Sequence, residues 1–426
     1  MTRLSMGWKR ATAVALASVS LFTVAAASAS AGEISVWVWD KAFNGDTMRE
    51  AGAIYTAAHP ETTFNVDDTA SQDDIRAKLQ TQLLAGSTEG LPDIVLIQDD
   101  IAQKYLQSFP GAFEPLSDSI DMSVFAPYKV AAATLDGKSY SVPFDSGVTG
   151  LFYRSDYLAE AGFTAADLEN ITWDRLVEIG TEVKAKTGKQ LLDLDLNDTG
   201  LIRMMMQSAG EWYFHEDGSL HITDNAALKK ALETYAKFYQ ADLVKPVSGW
   251  AEYTGAFTGG EVAVVPVGVW ITATIKANAD QSGKWGVAPI PRLDMEGSVN
   301  ASNQGGSSWF LLSSSDNKEE AIDFFKTVWA GDKDFYQDIL IKRGAVGSLL
   351  SAREGDAYKA SDEFFGGAPV WQNFSTWLGQ IPSVDYGTFT AEVDSAVQAQ
   401  LPSIIQGGDL DAALQAINDQ ATQQMQ

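Results

Sequence analysis

The sequence predicts an α/β protein with two large domains. Short apolar strands alternate with amphipathic helices along the chain, which is the pattern of a sheet covered by helices. The chain has 426 residues, and a single hydrophobic core rarely grows beyond about 300 residues. We find no internal repeat and no low-complexity linker, so the chain is expected to cross between the domains several times.

The first strand lies in EISVWVWDKAFNG, residues 33–45. Trp37 and Trp39 share one of its faces and three aliphatic residues share the other, which is typical of a strand buried inside a sheet. We assign Trp37 to the core, whereas Trp39 leaves the sheet edge and, with Asp40 and Asn44, forms a ligand platform. The alternatives are that Trp39 is also core and that Asp40 and Asn44 only cap the next helix.

Turn residues and apolar spacing define the later elements. A capping box of Ser71 and Asp74 begins the second helix. The strand in PDIVLIQDD, residues 92–100, runs straight into polar residues, as the first strand does. Ligands of open α/β sheets bind outside the carboxyl ends of the strands, so both strand ends are candidate ligand contacts. The other predicted elements are a helix over 47–59, a strand over 64–66, a strand and a short helix over 151–162, helices over 173–186 and 225–240, strands within 261–270, 285–292 and 303–315, a helix over 318–329, and mostly helical structure after 357.

Residues 1–31 have the composition of an export signal. Arg3, Lys9 and Arg10 form a positive region, residues 11–26 are apolar and rich in small side chains, and the Ala-Ser-Ala of residues 29–31 fits the cleavage rule. A membrane anchor that stays attached is less favoured, because the apolar run is short for a bilayer and contains Ser and Thr. We therefore expect a cleaved signal and a periplasmic protein.

Charge and composition exclude several classes of function. The net charge of −26 repels phosphate backbones and anionic membranes, so nucleic-acid and membrane-surface binding are disfavoured. The absence of Cys removes disulfides, thiol catalysis and cysteine-based metal sites. No segment after residue 31 reaches the apolar length of a transmembrane helix. We expect a monomer without a cofactor.

The stretch PFDSGVTGLFYRSDYLAEAG, residues 143–162, resembles the signature of the family 1 extracellular solute-binding proteins. Residues 143–145 and 150–153 supply its small, apolar, acidic and aromatic positions, while Arg154 stands where the family has Asn or Asp. Four further stretches are similar to family segments and occur in the family's order: VWVWDKAFNG, the strand after PDI, NQGGSSWFLL and the GAV of residues 344–346.

This resemblance implies a two-lobed periplasmic-binding-protein fold (type II, Venus-flytrap) whose lobes are joined by crossing hinge strands. Lobe one would hold residues 32–145 and 306–355, and lobe two would hold residues 146–305 and 356–426. A ligand binds between such lobes and closes them, and the closed form docks on the membrane permease of an ABC transporter. Many relatives of this pattern carry sugars, so we predict a mono- or oligosaccharide ligand.

A neutral sugar needs aromatic planes for its C–H faces and Asn, Gln or Asp for its hydroxyls. Eleven of the twelve tryptophans lie beyond residue 31, and Trp371 and Trp377 are among those near the expected cleft edges. Trp270 has the alternative of being core, and the two glycines at the second crossing have the alternative of serving only the hinge. The ligand-binding candidates are Trp39, Asp40, Asn44, Gln98, Asp99, Asp145, Trp212, Trp270, Gly305, Gly306, Arg343 and Tyr386.

Two other functions remain open from the sequence. A binder of a polyol, polyamine or sulfonated sugar on the same fold would use the acidic residues for a cation or Arg343 for an anion. A periplasmic glycoside hydrolase would need two carboxylates flanking the scissile bond, and adjacent pairs such as Asp99-Asp100 do not face each other. His59, His215 and His221 show no metal or catalytic-triad spacing, so we predict no enzyme activity and no metal.

Overall fold

The computed structural model describes residues 32–215 and 217–425, so the predicted export signal lies outside the described residues. Within them no helix is both long enough and apolar enough to cross a bilayer. The strands are β1 Glu33–Trp37, β2 Thr63–Asp67, β3 Ile94–Gln98, β4 Thr134–Leu135, β5 Lys138–Ser139, β6 Ser141–Arg154, β7 Leu192–Leu194, β8 Val244–Pro246, β9 Val264–Gly268, β10 Trp285–Ala288 and β11 Asn303–Leu311. The helices are α1 Asp46–Ala58, α2 Gln72–Leu84, α3 Asp99–Ser108, α4 Pro127–Ala132, α5 Ser155–Glu160, α6 Trp173–Thr187, α7 Gly200–Ser208, α8 Ala226–Gln240, α9 Gly249–Thr258, α10 Thr272–Lys276, α11 Lys318–Phe324, α12 Lys333–Arg343, α13 Asp356–Lys359, α14 Val370–Leu378, α15 Thr390–Ile405 and α16 Leu410–Gln424.

A seven-stranded mixed sheet runs through the molecule in the order β10-β6-β11-β3-β1-β2, with β9 also paired to β6. Strand β1 is parallel to β2 and β3, whereas β11 is antiparallel to β3 and to β6. Strand β6 is 14 residues long and buried throughout. Its first half pairs with β11, and its second half pairs with β9 and β10. Strands β6 and β11 therefore connect the two ends of the sheet.

Buried apolar side chains cover both ends of this sheet. One cluster contains Trp37, Val95 and Phe310 and lies on one face of the β1–β3 region. A second begins on the opposite face and continues along β6. The third is built from helices α6, α7, α8, α15 and α16 around residues such as Tyr213 and Val397. The two domains thus have cores of their own, with a shared apolar layer beside the crossing strands.

Most predicted elements are present with ends shifted by a few residues. The capping box of Ser71 and Asp74 is confirmed. Strand β1 ends at Trp37, so Trp39 lies outside the strand, as predicted. Asn225, predicted as the first residue of its helix, instead caps α8 by accepting a hydrogen bond of 2.8 Å from the backbone N of Leu228. The predicted helix over 318–329 is α11 followed by a π-helical turn, Phe325–Trp329.

The crossing of β6 and β11 is tight because it is built from glycine. The register of the two strands shifts between Asn303 and Gly306. Gly305 and Gly306 have φ angles of +80° and +87°, which glycine adopts without steric cost. A Cβ on Gly147 would clash with the carbonyl oxygen of Gln304. This bulge aims Gln304 towards the cavity that lies beside the crossing.

Candidate ligand-binding cleft

A cavity of about 260 Å³ lies beside the crossing strands. Its wall is formed by β7 and the residues after it, the first turns of α7 and α9, the end of β9 and the bulge of β11. All of these segments fall between residues 193 and 304. The cavity is therefore formed by one part of the sequence, beside the crossing strands.

Three aromatic side chains form one side of this cavity: Trp250, Tyr253 and Trp270. The ring centroids of Trp250 and Trp270 lie 6.0 Å apart at an interplanar angle of 36°, and Tyr253 lies 5.7 Å from Trp250. The indole N of Trp270 donates a 2.9 Å hydrogen bond to the carbonyl oxygen of Gln304, which fixes its ring. Trp250 is 58% exposed, so the cleft presents a large apolar plane to solvent.

Asp193 is the acidic group with spare hydrogen-bonding capacity in this wall. It is 3% exposed, and within the described ranges neither carboxylate oxygen has a hydrogen-bond partner. Burial raises the pKa of Asp193 to about 7, although the positive charge of Lys245 works in the opposite direction. An ionised carboxylate only accepts hydrogen bonds, so a ligand with hydroxyl donors would satisfy it.

Two further aspartates of the cavity are already engaged. Asp195 accepts hydrogen bonds from the backbone N of Gly249 at 2.7 Å and of Asn197 at 2.9 Å. Burial opposes ionisation of Asp195, but these N–H donors outweigh it and lower the pKa of the carboxyl. Asp198 accepts a 2.7 Å bond from the backbone N of Gly200, at the start of α7. Asp195 and Asp198 therefore shape the loop around Asp193.

Two other hollows continue the cavity along the hinge. One of about 340 Å³ lies between Trp270, Arg343 and Trp371. The other is a narrow crevice of about 20 Å³ between Asp100, Gln304 and residues of the third core cluster. Trp270 lines the first two spaces and Gln304 lines the first and third. The crevice and the second cavity also include residues outside 193–304, among them Asp100 and Arg343.

Five of the predicted ligand residues border these three spaces: Arg343, which is described below, and four others. Trp270 forms the aromatic side described above, and Gly305 lines the narrow crevice. Trp212 and Tyr386 also border the crevice but are almost entirely buried, with ring centroids 4.8 Å apart in an edge-to-face arrangement. The indole N of Trp212 donates to the hydroxyl of Thr390 at 2.9 Å. Because both rings are buried, neither presents an open face to solvent.

Asp99, Asp145 and Gly306 lie inside the strand crossing. Asp99 pairs with the fully buried Lys129 at 2.5 Å and also accepts a bond from the Ser308 hydroxyl. Burial raises the pKa of Asp99 to about 6, against the opposing effect of Lys129. One oxygen of Asp145 accepts from the backbone N and hydroxyl of Ser307, at 2.9 and 2.5 Å. These carboxylates are bound to other protein groups and hold the hinge together.

Four predicted residues lie at the ends of β1 and β3, apart from the aromatic cavity. Asp40 caps the turn Lys41–Gly45 by accepting from Phe43 N at 2.6 Å, which is the capping alternative, and Asn44 is buried in that turn. Trp39 and Gln98 line a small separate crevice, where Gln98 accepts from Arg76.

Arg343 borders the second cavity, but its guanidinium is already paired. It binds Glu50 through two bonds of 2.8 and 3.1 Å and donates to the Ala42 carbonyl at 2.8 Å. These bonds lower the pKa of the Glu50 carboxyl, with burial opposing the shift. The positive charge of Arg343 is therefore compensated within the protein.

The ligand residues predicted from the sequence did not include Asp193, Trp250, Tyr253 and Gln304. A signal was present for the first of them, since LLDLDLND alternates Leu with Asp and so places Asp193 and Asp195 on one face of an extended segment. The spacing of the histidines in the sequence also did not indicate that His215 and His221 are neighbours, whereas their rings lie side by side in the fold.

Two cores joined by crossing strands, with a ligand-sized cavity beside the crossing, define a two-lobed binding protein for a small solute. The chain belongs to the family of bacterial extracellular solute-binding proteins, whose family model matches residues 50–366. It is 56% identical over 418 residues to the lactose-binding protein of Rhizobium radiobacter, covering 98% of both chains.

Solved structures agree with this fold. An extracellular solute-binding protein of family 1 superposes with a TM-score of 0.78 at 23% identity, covering 92% of this chain and 99% of the other. The sugar-binding protein MalE from Xanthomonas citri superposes with a TM-score of 0.77 at 19% identity, covering 92% and 98%. The predicted α/β, two-lobed fold is thereby confirmed.

Proposed function

We propose that this protein is the periplasmic substrate-binding component of an ABC transporter and that it captures a disaccharide of the lactose type. The observation that carries the proposal is the exposed plane of Trp250 beside the unpartnered carboxylate of Asp193. The relative named for lactose, identical at 56% of positions over nearly the whole chain, supports the choice of sugar. The ligand leaves the protein unchanged, for delivery to the permease.

The chemistry of the cavity suits a sugar ring. The apolar C–H face of a pyranose covers the aromatic plane, and its hydroxyls donate to Asp193. Hydrogen bonds to an ionised acceptor are about twice as strong as neutral ones. Binding also supplies the hydrogen-bond donors that the buried carboxylate of Asp193 lacks in the free protein. Since hollows lie on both sides of Trp270, the site suits a ligand of at least two rings.

We propose that lobe one comprises residues 32–145 and 306–355 and that lobe two comprises residues 146–305 and 356–426. The aromatic cavity belongs entirely to lobe two under this division. Helix α3 of lobe one contacts lobe two through Asp100 and Arg203 at 3.2 Å and through Lys104 and Glu392 at 2.8 Å. Ligand that touches both lobes would favour their closed arrangement, because only there are all contacts made.

The acidity of the cavity supports a second candidate ligand, a polyamine. Three aspartates and two tryptophans surround the same space, and aromatic faces together with carboxylates also bind organic cations. Polyols would use the hydroxyl contacts without the second ring. A sulfonated sugar is less suited, since Arg343 is already paired with Glu50.

The test is calorimetric titration of the untagged protein with lactose, maltose, sorbitol and spermidine. We expect lactose to bind with a dissociation constant of the order of micromolar, about −8 kcal/mol. Replacing Trp250 by Ala should weaken binding more than tenfold without changing the unfolding temperature, and Trp270→Ala should weaken it more than tenfold without unfolding the protein. Leu84→Ala, which truncates an exposed apolar side chain of α2 far along the chain from the cavity, serves as the control.

Each result of this titration is decisive. Binding of spermidine alone would replace the sugar by a cation. Lactose binding that survives in folded Trp250→Ala and Trp270→Ala would remove the aromatic cavity from the site. If lactose is converted to glucose and galactose during the titration, the protein is a hydrolase and the transport role fails.

A further inference from the structure

Two of the three histidines of the chain meet on a surface hairpin before α8. The backbone N of His215 donates to the carbonyl of Ser219 at 2.9 Å, and that of His221 donates to the carbonyl of Tyr213 at 2.8 Å. Residues on paired strands alternate between faces, and diagonal neighbours on one face lie within reach of each other. His215 and His221 are such neighbours, and their rings stack with centroids 4.1 Å apart.

A carboxylate lies across from both imidazoles. One oxygen of Asp224 is 3.6 Å from Nε2 of His215, and the other is 3.9 Å from Nε2 of His221. Ligand atoms of the three residues all lie within 4.8 Å of one another. These separations are too long for good hydrogen bonds, so the three groups surround a space and do not bond to each other.

The separations of these ligand atoms are close to those of a transition-metal site. In a tetrahedral site an ion about 2.0–2.2 Å from each nitrogen and oxygen ligand leaves those ligands about 3.3–3.6 Å apart. The two Asp224 distances, one to each carboxylate oxygen, are at or slightly above this range. The full spread of 4.8 Å requires the stacked imidazoles to turn towards the ion when it binds. On its other edge, Nδ1 of His221 faces Glu211 at 3.5 Å and the side-chain amide of Asn225 at 3.4 Å. A carboxylate in that position orients a metal-bound imidazole.

We propose that His215, His221 and Asp224 bind one Zn²⁺, with water as the fourth ligand and Glu211 orienting His221. Two imidazoles and one carboxylate suit Zn²⁺ and Cu²⁺, whereas Ca²⁺ and Mg²⁺ prefer oxygen ligands alone. The His215 side chain is 41% exposed and that of His221 is 16% exposed, which leaves an entry path. The net charge of −26 raises the local concentration of cations.

Such an ion would connect the hairpin to the start of α8. Asp224 directly precedes Asn225, whose side-chain amide donates to the carbonyls of Trp212 at 2.7 Å and His221 at 3.1 Å. Trp212 in turn packs against Tyr386 at the narrow crevice of the cleft. The expected consequence of zinc binding is greater stability of this segment, independent of the ligand that the cleft takes.

The experiment measures zinc binding to untagged, chelator-treated protein by competition with a zinc-sensitive dye, together with the unfolding temperature. We expect one Zn²⁺ per chain and a higher unfolding temperature with Zn²⁺ but not with Mg²⁺. His215→Ala and His221→Ala should each weaken zinc binding at least tenfold. The matched control is His59→Ala, because His59 also faces two carboxylates, Glu61 and Asp323, both at 3.8 Å, yet has no second imidazole beside it.

The proposal is overturned if no stoichiometric Zn²⁺ binds, if the double variant of His215 and His221 retains it, or if His59→Ala loses it equally. Unfolding temperatures of the metal-free variants establish that they are folded. Should His221→Ala unfold, the more exposed His215→Ala decides alone. Anomalous X-ray scattering from zinc-soaked crystals then gives a second readout: a peak between His215 and Asp224 supports the site, and a peak elsewhere rejects it.

Discussion

Replacing Asp193 by Asn should change the stability of the ligand-free protein in a pH-dependent way. The folded protein raises the pKa of this carboxyl from 3.8 to about 7 because the group is buried. The difference corresponds to about 4 kcal/mol between its protonated and ionised forms. Because Asp193 is only 3% exposed, water screens little of this effect.

The direction of the change in stability with pH depends on whether the folded or the unfolded state binds the Asp193 proton more tightly. Between pH 4 and 7 the folded protein keeps the Asp193 proton while the unfolded chain releases it, so stability falls as the pH rises through this window. Above pH 7 the carboxyl is ionised in both states, and the folded protein bears the full cost of burying the charge. Asp193→Asn cannot ionise. Relative to the parent, the variant should therefore gain up to about 4 kcal/mol in unfolding free energy between pH 4 and pH 8.

Urea unfolding of both proteins at pH 4, 6 and 8 measures this difference. Any effect of the Asn side chain on stability that does not vary with pH cancels when the three pH values are compared. Asp73→Asn, at an exposed aspartate of α2, is the control and should give the same offset at every pH. Lactose affinity supplies a second readout: it should fall in the parent as the pH drops below 7, since the hydroxyls bind the ionised form, and stay level in Asp193→Asn. A stability difference that does not vary with pH would refute the assignment of Asp193 as an unpartnered buried acid.

Two further variants probe the strand crossing and the contact between the proposed lobes. Lys129→Met leaves Asp99 buried without its partner, and urea unfolding should show a loss of roughly 3–5 kcal/mol; a loss below about 1 kcal/mol would contradict a structural role for this pair. Lys104→Met removes the half-buried ion pair with Glu392. Such a pair contributes about 0.5–1 kcal/mol to stability, so calorimetry should show two- to fivefold weaker lactose binding. That effect should shrink in high salt, and unchanged affinity at low salt would show that the contact does not favour closure.

Local patterns in the sequence were sufficient for most of the fold. The alternation around Trp37 predicted a strand buried on both faces, and Trp37 lies in the core with Trp39 outside the strand. The capping box at Ser71 was readable because its hydrogen bonds join residues three apart. These features depend on neighbours in the chain, which a sequence displays directly.

The ligand-contact predictions depended on partners distant in the chain. From the sequence, Arg343 is a possible anion-binding residue. In the fold its guanidinium pairs with Glu50, which is far away in the sequence. Asp99 similarly reads as a strand-end ligand, whereas the fold places Lys129 against it. Trp250 carries no family motif, and its exposure becomes apparent only from the packing of α9 beside Trp270. Such pairings are set by tertiary structure, so residue type and strand position alone could not distinguish them.

The bond from Trp270 to the carbonyl of Gln304 has a kinetic consequence. If the proposed lobes rotate about the bulge that holds Gln304, the aromatic plane lies beside the axis of rotation. Trp250, Tyr253 and Trp270 all belong to the proposed lobe two, so rotation of lobe one would leave the geometry of their plane unchanged. A sugar would then meet the same surface at any opening angle. The association rate would depend on encounter with lobe two, and the residence time would depend on how often lobe one opens.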